Sequence, residues 1–278
     1  MIQPTRKSPI IGVFDSGFGG LTVLRALLPL IPSAHYVYLG DTARLPYGSK
    51  SHDTIARYAV ESARFLAERG AELLVIACNT ATALAMPEIR AAVSIPVIGV
   101  IEPAVERAHQ SLQPSLRHSE VLVLATQATT QSHAYFEACE RRGLKAVEKA
   151  CPLLVPLVEE GWTDHPVTRE ILRIYLSEAL QDCAPSAVLL GCTHYPLISG
   201  AIEQTLRLLG SQAAIIDSAH ATARMTAMHF AQSPAGDLTP ANATFECYAT
   251  DSVEKFARLG SQFLGQTIPH VQLLDLGG

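Results

Sequence analysis

The feature that most constrains the fold is an alternation, along nearly the whole chain, between short apolar runs and longer amphipathic segments. Such alternation is typical of βα units, in which each strand of a parallel sheet is followed by a helix. Residues 54–68 illustrate the helical segments, because their apolar residues recur with a period near 3.6 and charged residues lie between them. The sequence therefore predicts an α/β fold, with strands expected at residues 10–14, 35–39, 73–77, 121–125, 187–190, 214–217 and 244–249.

The pattern restarts after residues 98–103, which predicts a second α/β unit from about residue 104. A chain of 278 residues is too long for one small core and suits two domains of medium size. The last third of the chain contains the strand at 214–217, a helix at 219–230, a Pro- and Gly-rich loop at 233–242 and the strand at 244–249. This tail could complete the first domain or close the second, and the sequence leaves both arrangements open.

Charge and cysteine usage exclude several classes of protein. The net charge is −5 and the 21 Lys and Arg residues are dispersed, so no basic face for nucleic acid is expected. The polar residues before Ile10 do not form a signal peptide, and no charge-free apolar run reaches the roughly 18 residues that a membrane helix needs. The six cysteines lack the spacing of zinc ligands or of a disulfide framework. These observations predict a soluble, cytoplasmic protein with reduced thiols and no bound metal.

Polar residues follow directly after several of the expected strands. In parallel sheets ligands bind beyond the carboxyl ends of the strands, so these positions are the first candidates for a functional site. They are residues 15–20, residues 41–48, residues 78–80, Thr126 and residues 192–194.

Cys78 and Cys192 are matched in their surroundings, since each follows an apolar strand and precedes small hydroxyl or amide residues. A thiol at the start of a helix is exposed to free N–H groups, which favour the thiolate and an anionic ligand. Asn79, Thr80 and Thr193 add donors for a carboxylate. A single cysteine is more often inert packing material, and the two matched placements favour function here. The remaining cysteines, at 139, 151, 183 and 247, are expected to be packing residues.

The glycine-rich turn after Asp15 has an alternative interpretation as the start of a dinucleotide-binding unit. The third glycine of that motif is replaced by Thr22, and Asp15 would repel a pyrophosphate, so a carboxylate with a role in the site is favoured. His194 is near enough to Cys192 to share a proton with it, although a lone histidine is more often a structural polar residue. Glu159 and Glu160 alone suggest no more than a solvated helix start.

Six motifs in the chain closely resemble those of the glutamate racemases, members of the aspartate/glutamate racemase superfamily. They occur in family order and are GVFDSG at 12–17, GDT at 40–42, PYG at 46–48, ACNTATA at 77–83, GVIEP at 99–103 and GCTHYPL at 191–197. Any one of these motifs is only modestly specific for the family, and the six together are strong evidence of the resemblance.

The resemblance implies two similar, doubly wound, mostly parallel α/β domains that face each other across a central cleft, without pyridoxal phosphate, metal or nucleotide. The expected first domain comprises residues 1–103 with about 217–278 and contains Cys78. Residues 104–216 form the expected second domain, which contains Cys192. Cys78 would take the α-proton of the D-enantiomer and Cys192 that of the L-enantiomer. The implied supporting groups are Asp15 for Cys78, with His194 and Glu159 for Cys192, and the implied substrate-binding residues are Asp15, Ser16, Tyr47, Gly48, Asn79, Thr80, Thr126, Thr193 and His194.

The chemistry of racemisation is consistent with paired thiols. An amino-acid α-proton is very weakly acidic, so a site without an electron-sink cofactor must stabilise a carbanion with fixed charges and donors. One base cannot readily serve both faces of a planar carbanion, and two thiols in opposite protonation states can.

The resemblance further implies a homodimeric bacterial enzyme that supplies D-glutamate for peptidoglycan synthesis and cell-wall biogenesis. The nearest rival is a racemase of aspartate or another small carboxylate, because the same two thiols would serve it. A rival of another class is a thiol hydrolase that uses Cys192 and His194 as nucleophile and base, which leaves Cys78 without a function.

Overall fold

In the computed structural model, which describes residues 8–112, 119–231 and 243–277, the chain forms two parallel β-sheets covered by helices. The predicted α/β fold is confirmed. The polar N-terminal extension and the loop at residues 233–242 lie outside the described residues.

The first sheet has the strand order β10-β9-β2-β1-β3-β4. All of its pairings are parallel. The central strands β1, β2 and β3 are almost completely buried, which explains their continuous apolar sequences. The strands are β1 (Ile10–Asp15), β2 (His35–Gly40), β3 (Leu73–Ile76), β4 (Val97–Gly99), β9 (Thr244–Ala249) and β10 (Val271–Leu273).

The second sheet has the order β6-β5-β7-β8 and is also parallel throughout. Its strands are β5 (Glu120–Ala125), β6 (Lys145–Ala150), β7 (Ala187–Gly191) and β8 (Ala214–Asp217). This order repeats β2-β1-β3-β4 of the first sheet, with β5 in the place of β1 and β7 in the place of β3. The two halves of the molecule therefore share one strand topology.

The helices follow the strands, as βα units require. Helix α2 begins after Ser51 and buries a stripe that includes Ile55, Ala59 and Leu66. The helices are α1 (Leu21–Leu27), α2 (His52–Glu68), α3 (Asn79–Ala92), α4 (Ile101–Ser111), α5 (Gln127–Gln131), α6 (Ala134–Glu140), α7 (Leu154–Glu159), α8 (Pro166–Asp182), α9 (Ser199–Leu208), α10 (Ser218–Ala231) and α11 (Val253–Leu264), with 3₁₀ turns at Thr42–Arg44, Tyr47–Ser49 and Tyr195–Ile198. None of the helices in the described ranges has the length and apolar character to cross a membrane.

The tail returns to the first sheet, where β9 pairs with β2 and β10 pairs with β9. The preceding strand, β8, pairs with β7 in the second sheet. The last two strands of the tail, β9 and β10, therefore extend the first sheet, whereas β8 extends the second. The domain boundaries near residues 103 and 217 stay predictions.

Three strands, β4, β6 and β10, were not expected from the sequence. All three are edge strands; β4 and β10 have only three residues each, and β6 has Lys145, Glu148 and Lys149 among its six residues. Edge strands contain charged residues or are short because an apolar exposed edge would pair with other chains, so their sequences lack the apolar run of a buried strand. Glu159 and Glu160 lie at the end of α7 and not at a helix start.

Phe263 of α11 is completely buried and packs against Phe18, with ring centroids 5.6 Å apart. The substitution Phe263→Ala is expected to lower the free energy of unfolding by about 3–5 kcal/mol, since it removes a buried ring and leaves a cavity. Phe136→Ala removes the same group from a position that is 41% exposed and should cost less than about 1 kcal/mol. Urea unfolding followed by circular dichroism measures both, and equal losses would contradict this account of the core.

Candidate active site

Cys78 lies between the buried strand β3 and helix α3, for which it is the N-terminal capping residue. Its Sγ accepts a hydrogen bond from the N–H of Ala81 at 3.4 Å, and the thiol donates to the Ser16 hydroxyl at 3.5 Å. The side chain is buried but reaches the cavity between the sheets. Free N–H groups at the start of α3 thus surround the sulfur with positive potential.

Asp15 ends the neighbouring strand β1 and is only 1% exposed. One carboxylate oxygen accepts a hydrogen bond from the N–H of Gly17 at 2.9 Å, and the other has no hydrogen-bond partner among the described residues. Burial raises the pKa of this carboxyl, against the charge of His194 and nearby N–H groups. Asp15 does not line the cavity, so the structure places this predicted substrate-binding residue beneath it.

The surroundings of Cys78 favour its protonated form. Burial, followed by the charge of Asp15, raises the pKa of the thiol to about 12, against the hydrogen bonds with Ser16 and Ala81. Near neutral pH, the resting form of Cys78 is therefore the thiol.

Cys192 follows strand β7, and its thiol contacts His194, which in turn contacts Glu159. Its Sγ lies 3.8 Å from Nδ1 of His194, and Nε2 of His194 lies 3.2 Å from Oε1 of Glu159. Glu159, and not Glu160, is hydrogen-bonded to the histidine. The expectation that each thiol starts a helix holds only for Cys78, because a turn and the 3₁₀ segment Tyr195–Ile198 follow Cys192.

His194 is cationic in these surroundings. Burial lowers its pKa, but the hydrogen bonds and charges of Cys192 and Glu159 raise it more, from 6.5 to about 10. Because the pKa is higher in the folded state, protonation of His194 stabilises the fold fully below pH 6.5, and this contribution is lost as the pH rises towards 10. At neutral pH an imidazolium therefore faces the Cys192 sulfur.

The glycine turn of the first sheet contacts the Cys192 loop directly. A Cβ atom on Gly19 would lie 2.3 Å from the Thr193 hydroxyl and 2.6 Å from the His194 ring, so only glycine fits there. The Thr22 hydroxyl donates to the Thr193 carbonyl at 3.1 Å. The Phe18 ring lies 6.1 Å from that of His194. This close approach explains the glycine turn without a nucleotide.

Three threonine hydroxyls join the two halves beside the thiols. Thr80 Oγ1 lies 3.0 Å from Thr126 Oγ1 and 3.2 Å from Thr129 Oγ1, and Thr126 and Thr129 are 2.9 Å apart. Tyr135 donates to the Oδ1 of Asn79 at 2.6 Å. The buried Nδ2 of Asn79 has no partner among the described residues, so it is available to donate to a ligand.

The loop with Tyr47 and Gly48 is held by the buried carboxylate of Asp41. Tyr47 donates to this carboxylate, as does Nε of Arg44 at 2.7 and 2.9 Å. Gly48 packs against Thr126, from which an added Cβ would be 3.3 Å away. Asp41 thus has a structural role in this loop, which brings Gly48 against the second sheet.

These groups surround a cavity of about 600 Å³. Apart from Asp15, every predicted site residue lines it. The lining residues are Ser16, Phe18, Thr42, Leu45, Pro46, Tyr47, Gly48, Ser49, Cys78, Asn79, Thr80, Thr126, Gln127, Cys151, Pro152, Val155, Pro156, Glu159, Glu160, Cys192, Thr193, His194, Asp251, Ser252, Lys255 and Phe256. Within residues 8–112, 119–231 and 243–277, no group of three or more His, Cys, Asp or Glu side chains is arranged to hold a metal ion.

Residues 20–226 match the model of the Asp/Glu/Hydantoin racemase family. The chain belongs to this family. It is therefore a member of a family of isomerases, and the resemblance seen in its motifs is confirmed.

Individual relatives extend the match over nearly the whole chain. A glutamate racemase of Koribacter versatilis is 49% identical over 99% of this chain and 100% of its own length. The crystal structure of glutamate racemase from Francisella tularensis in complex with D-glutamate is 33% identical, covers 97% of this chain and 98% of its own, and has a TM-score of 0.87. The enzyme from Thermus thermophilus, in complex with β-chloro-D-alanine, is 40% identical with the same coverage and a TM-score of 0.83.

Sequence reasoning missed the lining residues from the tail, which are Asp251, Ser252, Lys255 and Phe256. The signal that could have found them is the position of Asp251 two residues after the end of β9, at the carboxyl edge that also presents Asp15 and Cys78. Cys151, expected to be a packing residue, is buried yet contributes to the lining.

The substitution Glu159→Gln is expected to lower the pKa of His194, because it removes the carboxylate that stabilises the imidazolium. Glu160→Gln removes a charge from the adjacent cavity residue and should leave the pKa of His194 nearly unchanged, since Glu160 makes no hydrogen bond to the ring in the described structure. NMR titration of the labelled imidazole measures both variants. Equal responses would contradict the pairing of Glu159 with His194.

Proposed function

We propose that this protein is a cofactor-independent glutamate racemase that interconverts L- and D-glutamate with Cys78 and Cys192 as its two bases. The observation that carries the proposal is that each sheet contributes one thiol to the same cavity, in each case after the third strand of the shared topology. Racemisation needs a base for each face of the α-carbon, and a pair of equivalent thiols meets that need.

In the proposed mechanism, L-glutamate reacts with the thiolate of Cys192. The sulfur takes the α-proton as the Cα–H bond breaks, and its electron pair remains on the substrate as a carbanion. The Cys78 thiol then donates its proton to the opposite face, and D-glutamate leaves behind a Cys192 thiol and a Cys78 thiolate. The reverse reaction starts from that state and restores the first.

The different surroundings of the two sulfurs suit this starting state. The raised pKa of Cys78 supplies a thiol, and in this scheme the thiolate is on Cys192, beside the imidazolium of His194. Asp15 and Glu159 act through their neighbours in this scheme, Asp15 on Cys78 and Glu159 on His194. One sulfur therefore has a proton to give and the other is ready to accept one.

The polar residues of the cavity hold the substrate and the charge that develops on it. The free Nδ2 of Asn79 and the N–H groups at the start of α3 are donors for the α-carboxylate, where negative charge spreads in the carbanion. The hydroxyls of Thr80 and Thr126 are further donors once they exchange their mutual bonds for the ligand. Ser16, Tyr47, Gly48, Thr193 and His194 complete the proposed binding set.

Glutamate is favoured over aspartate because the relatives at 49% and 41% identity are named glutamate racemases. A thiol hydrolase is disfavoured because it leaves Cys78 without a function. We propose further that the enzyme acts in the cytoplasm as a homodimer and supplies D-glutamate for peptidoglycan synthesis, as the resemblance of its motifs implies.

Incubation of the purified protein with L-glutamate in deuterated water, without added cofactor, is expected to abolish optical rotation. At early times the D-glutamate formed should contain deuterium at Cα and the remaining L-glutamate should not, because the base that removes the proton is not the base that delivers the new one. Mass spectrometry of the separated enantiomers measures this. A sample without exchange and with undiminished rotation would refute the racemase, and L-aspartate incubated in parallel tests the rival substrate.

Cys78→Ala and Cys192→Ala are each expected to reduce racemisation at least about 10³-fold, since each removes the base for one face of the substrate. Cys247→Ala, which alters a buried thiol away from the cavity, is the control and should retain near-normal turnover. Circular dichroism verifies that the variants are folded. Near-normal turnover in either active-site variant would show that the assignment of two bases is wrong.

A further inference from the structure

The mouth of the cavity includes residues from the chain's tail, and hydrogen bonds hold this segment in place. Thr42 Oγ1 donates to the Asp251 carbonyl at 2.6 Å and accepts from the Asp251 N–H at 2.9 Å. The Thr250 hydroxyl donates to Asp41 at 2.9 Å. The first turn of α11 is therefore fixed beside the loop that ends in Tyr47 and Gly48.

Lys255 lies in this first turn and is exposed, whereas the adjacent Phe256 is buried. Its ammonium lies 5.9 Å from the centroid of the Phe18 ring, which also lines the cavity. The Phe18 ring in turn lies 6.1 Å from that of His194. The ammonium of Lys255 thus lies beside an aromatic ring that lines the same cavity as the two thiols.

Lys255 differs from His194, the other basic residue around the cavity, in that its charge has no carboxylate partner in the described structure. Among the described lining residues, the acidic ones are Glu159, Glu160 and Asp251, and the basic ones are His194 and Lys255. His194 is engaged by Cys192 and Glu159. Lys255 has no carboxylate within ion-pair distance in the part of the chain that the structure describes. Its positive charge is therefore available to a ligand.

A glutamate anion, with two carboxylates and one ammonium, is repelled by a protein of net charge −5 unless a local cation offsets the repulsion. We propose that Lys255 is this cation and captures the anionic amino acid at the mouth of the cavity, an inference that rests on the proposed function. The role is in binding and not in proton transfer, since the hydrogen bonds of the two thiols are to Ser16, Ala81 and His194 and not to Lys255.

The test compares Lys255→Gln with the wild type in racemisation of both enantiomers, at low and at physiological ionic strength. Loss of one unscreened charge contact is expected to lower kcat/KM roughly three- to tenfold at low salt, through KM, with kcat changed less than about twofold. Salt screens an exposed charge over about 8 Å at physiological ionic strength, compared with about 30 Å at 0.01 M. The kcat/KM of the wild type should therefore fall with salt, and that of Lys255→Gln should be much less sensitive.

Two further variants separate electrostatic capture from a structural effect. Arg258→Gln removes the same unit of charge from an exposed site on the same helix that does not line the cavity, and should match the wild type. Lys255→Arg keeps the charge and should restore both KM and its salt dependence.

The possible failures are distinguishable. A wild type that does not racemise glutamate refutes the proposed function and the capture role with it. An active wild type, together with Lys255→Gln that retains the same KM and the same salt dependence, refutes only the role of Lys255. An equal effect of Arg258→Gln, or no rescue by Lys255→Arg, refutes it as well.

Discussion

The carboxyl edges of two parallel sheets meet at one cavity, and the rest of the site depends on this arrangement. In a parallel sheet every strand ends at the same edge, so each sheet presents a row of loop residues and free helix N–H groups there. The order β2-β1-β3-β4 recurs as β6-β5-β7-β8, which puts Cys78 and Cys192 after equivalent strands. The contact of Gly19 with Thr193 and His194 then fixes how closely the two edges approach.

Equivalent topology does not make the two thiols chemically equivalent. Cys78 is buried above the carboxylate of Asp15, which favours the thiol. Cys192 instead faces the imidazolium of His194, which is hydrogen-bonded to Glu159. One proton shared between two similar sulfurs is the state from which a two-base reaction can start in either direction. The repeated fold places the two thiols at equivalent positions, and their neighbouring residues give them different surroundings.

The tail shows how a segment distant in sequence becomes part of a site. Strand β9 joins the first sheet next to β2, and the loop after it is bound by Thr42 and Asp41. This pairing brings Lys255 to the cavity, although about 175 residues separate it from Thr80, the nearest lining residue of the first sheet outside the tail. The second sheet has no counterpart of β9 and β10 in the described residues, so the two halves differ most at this edge.

The sequence by itself determined the α/β class and most of the strands, because buried strands have continuous apolar sequences. It also predicted both thiols and the residues next to them, since these polar residues follow the strand ends. Charged edge strands such as β6 lack that pattern and were missed. Only the tertiary structure decided which sheet the tail joins, that Asp15 lies beneath the cavity, and that Glu159 rather than Glu160 reaches His194. These depend on strand pairing and side-chain direction between segments far apart in the chain, which local patterns do not encode.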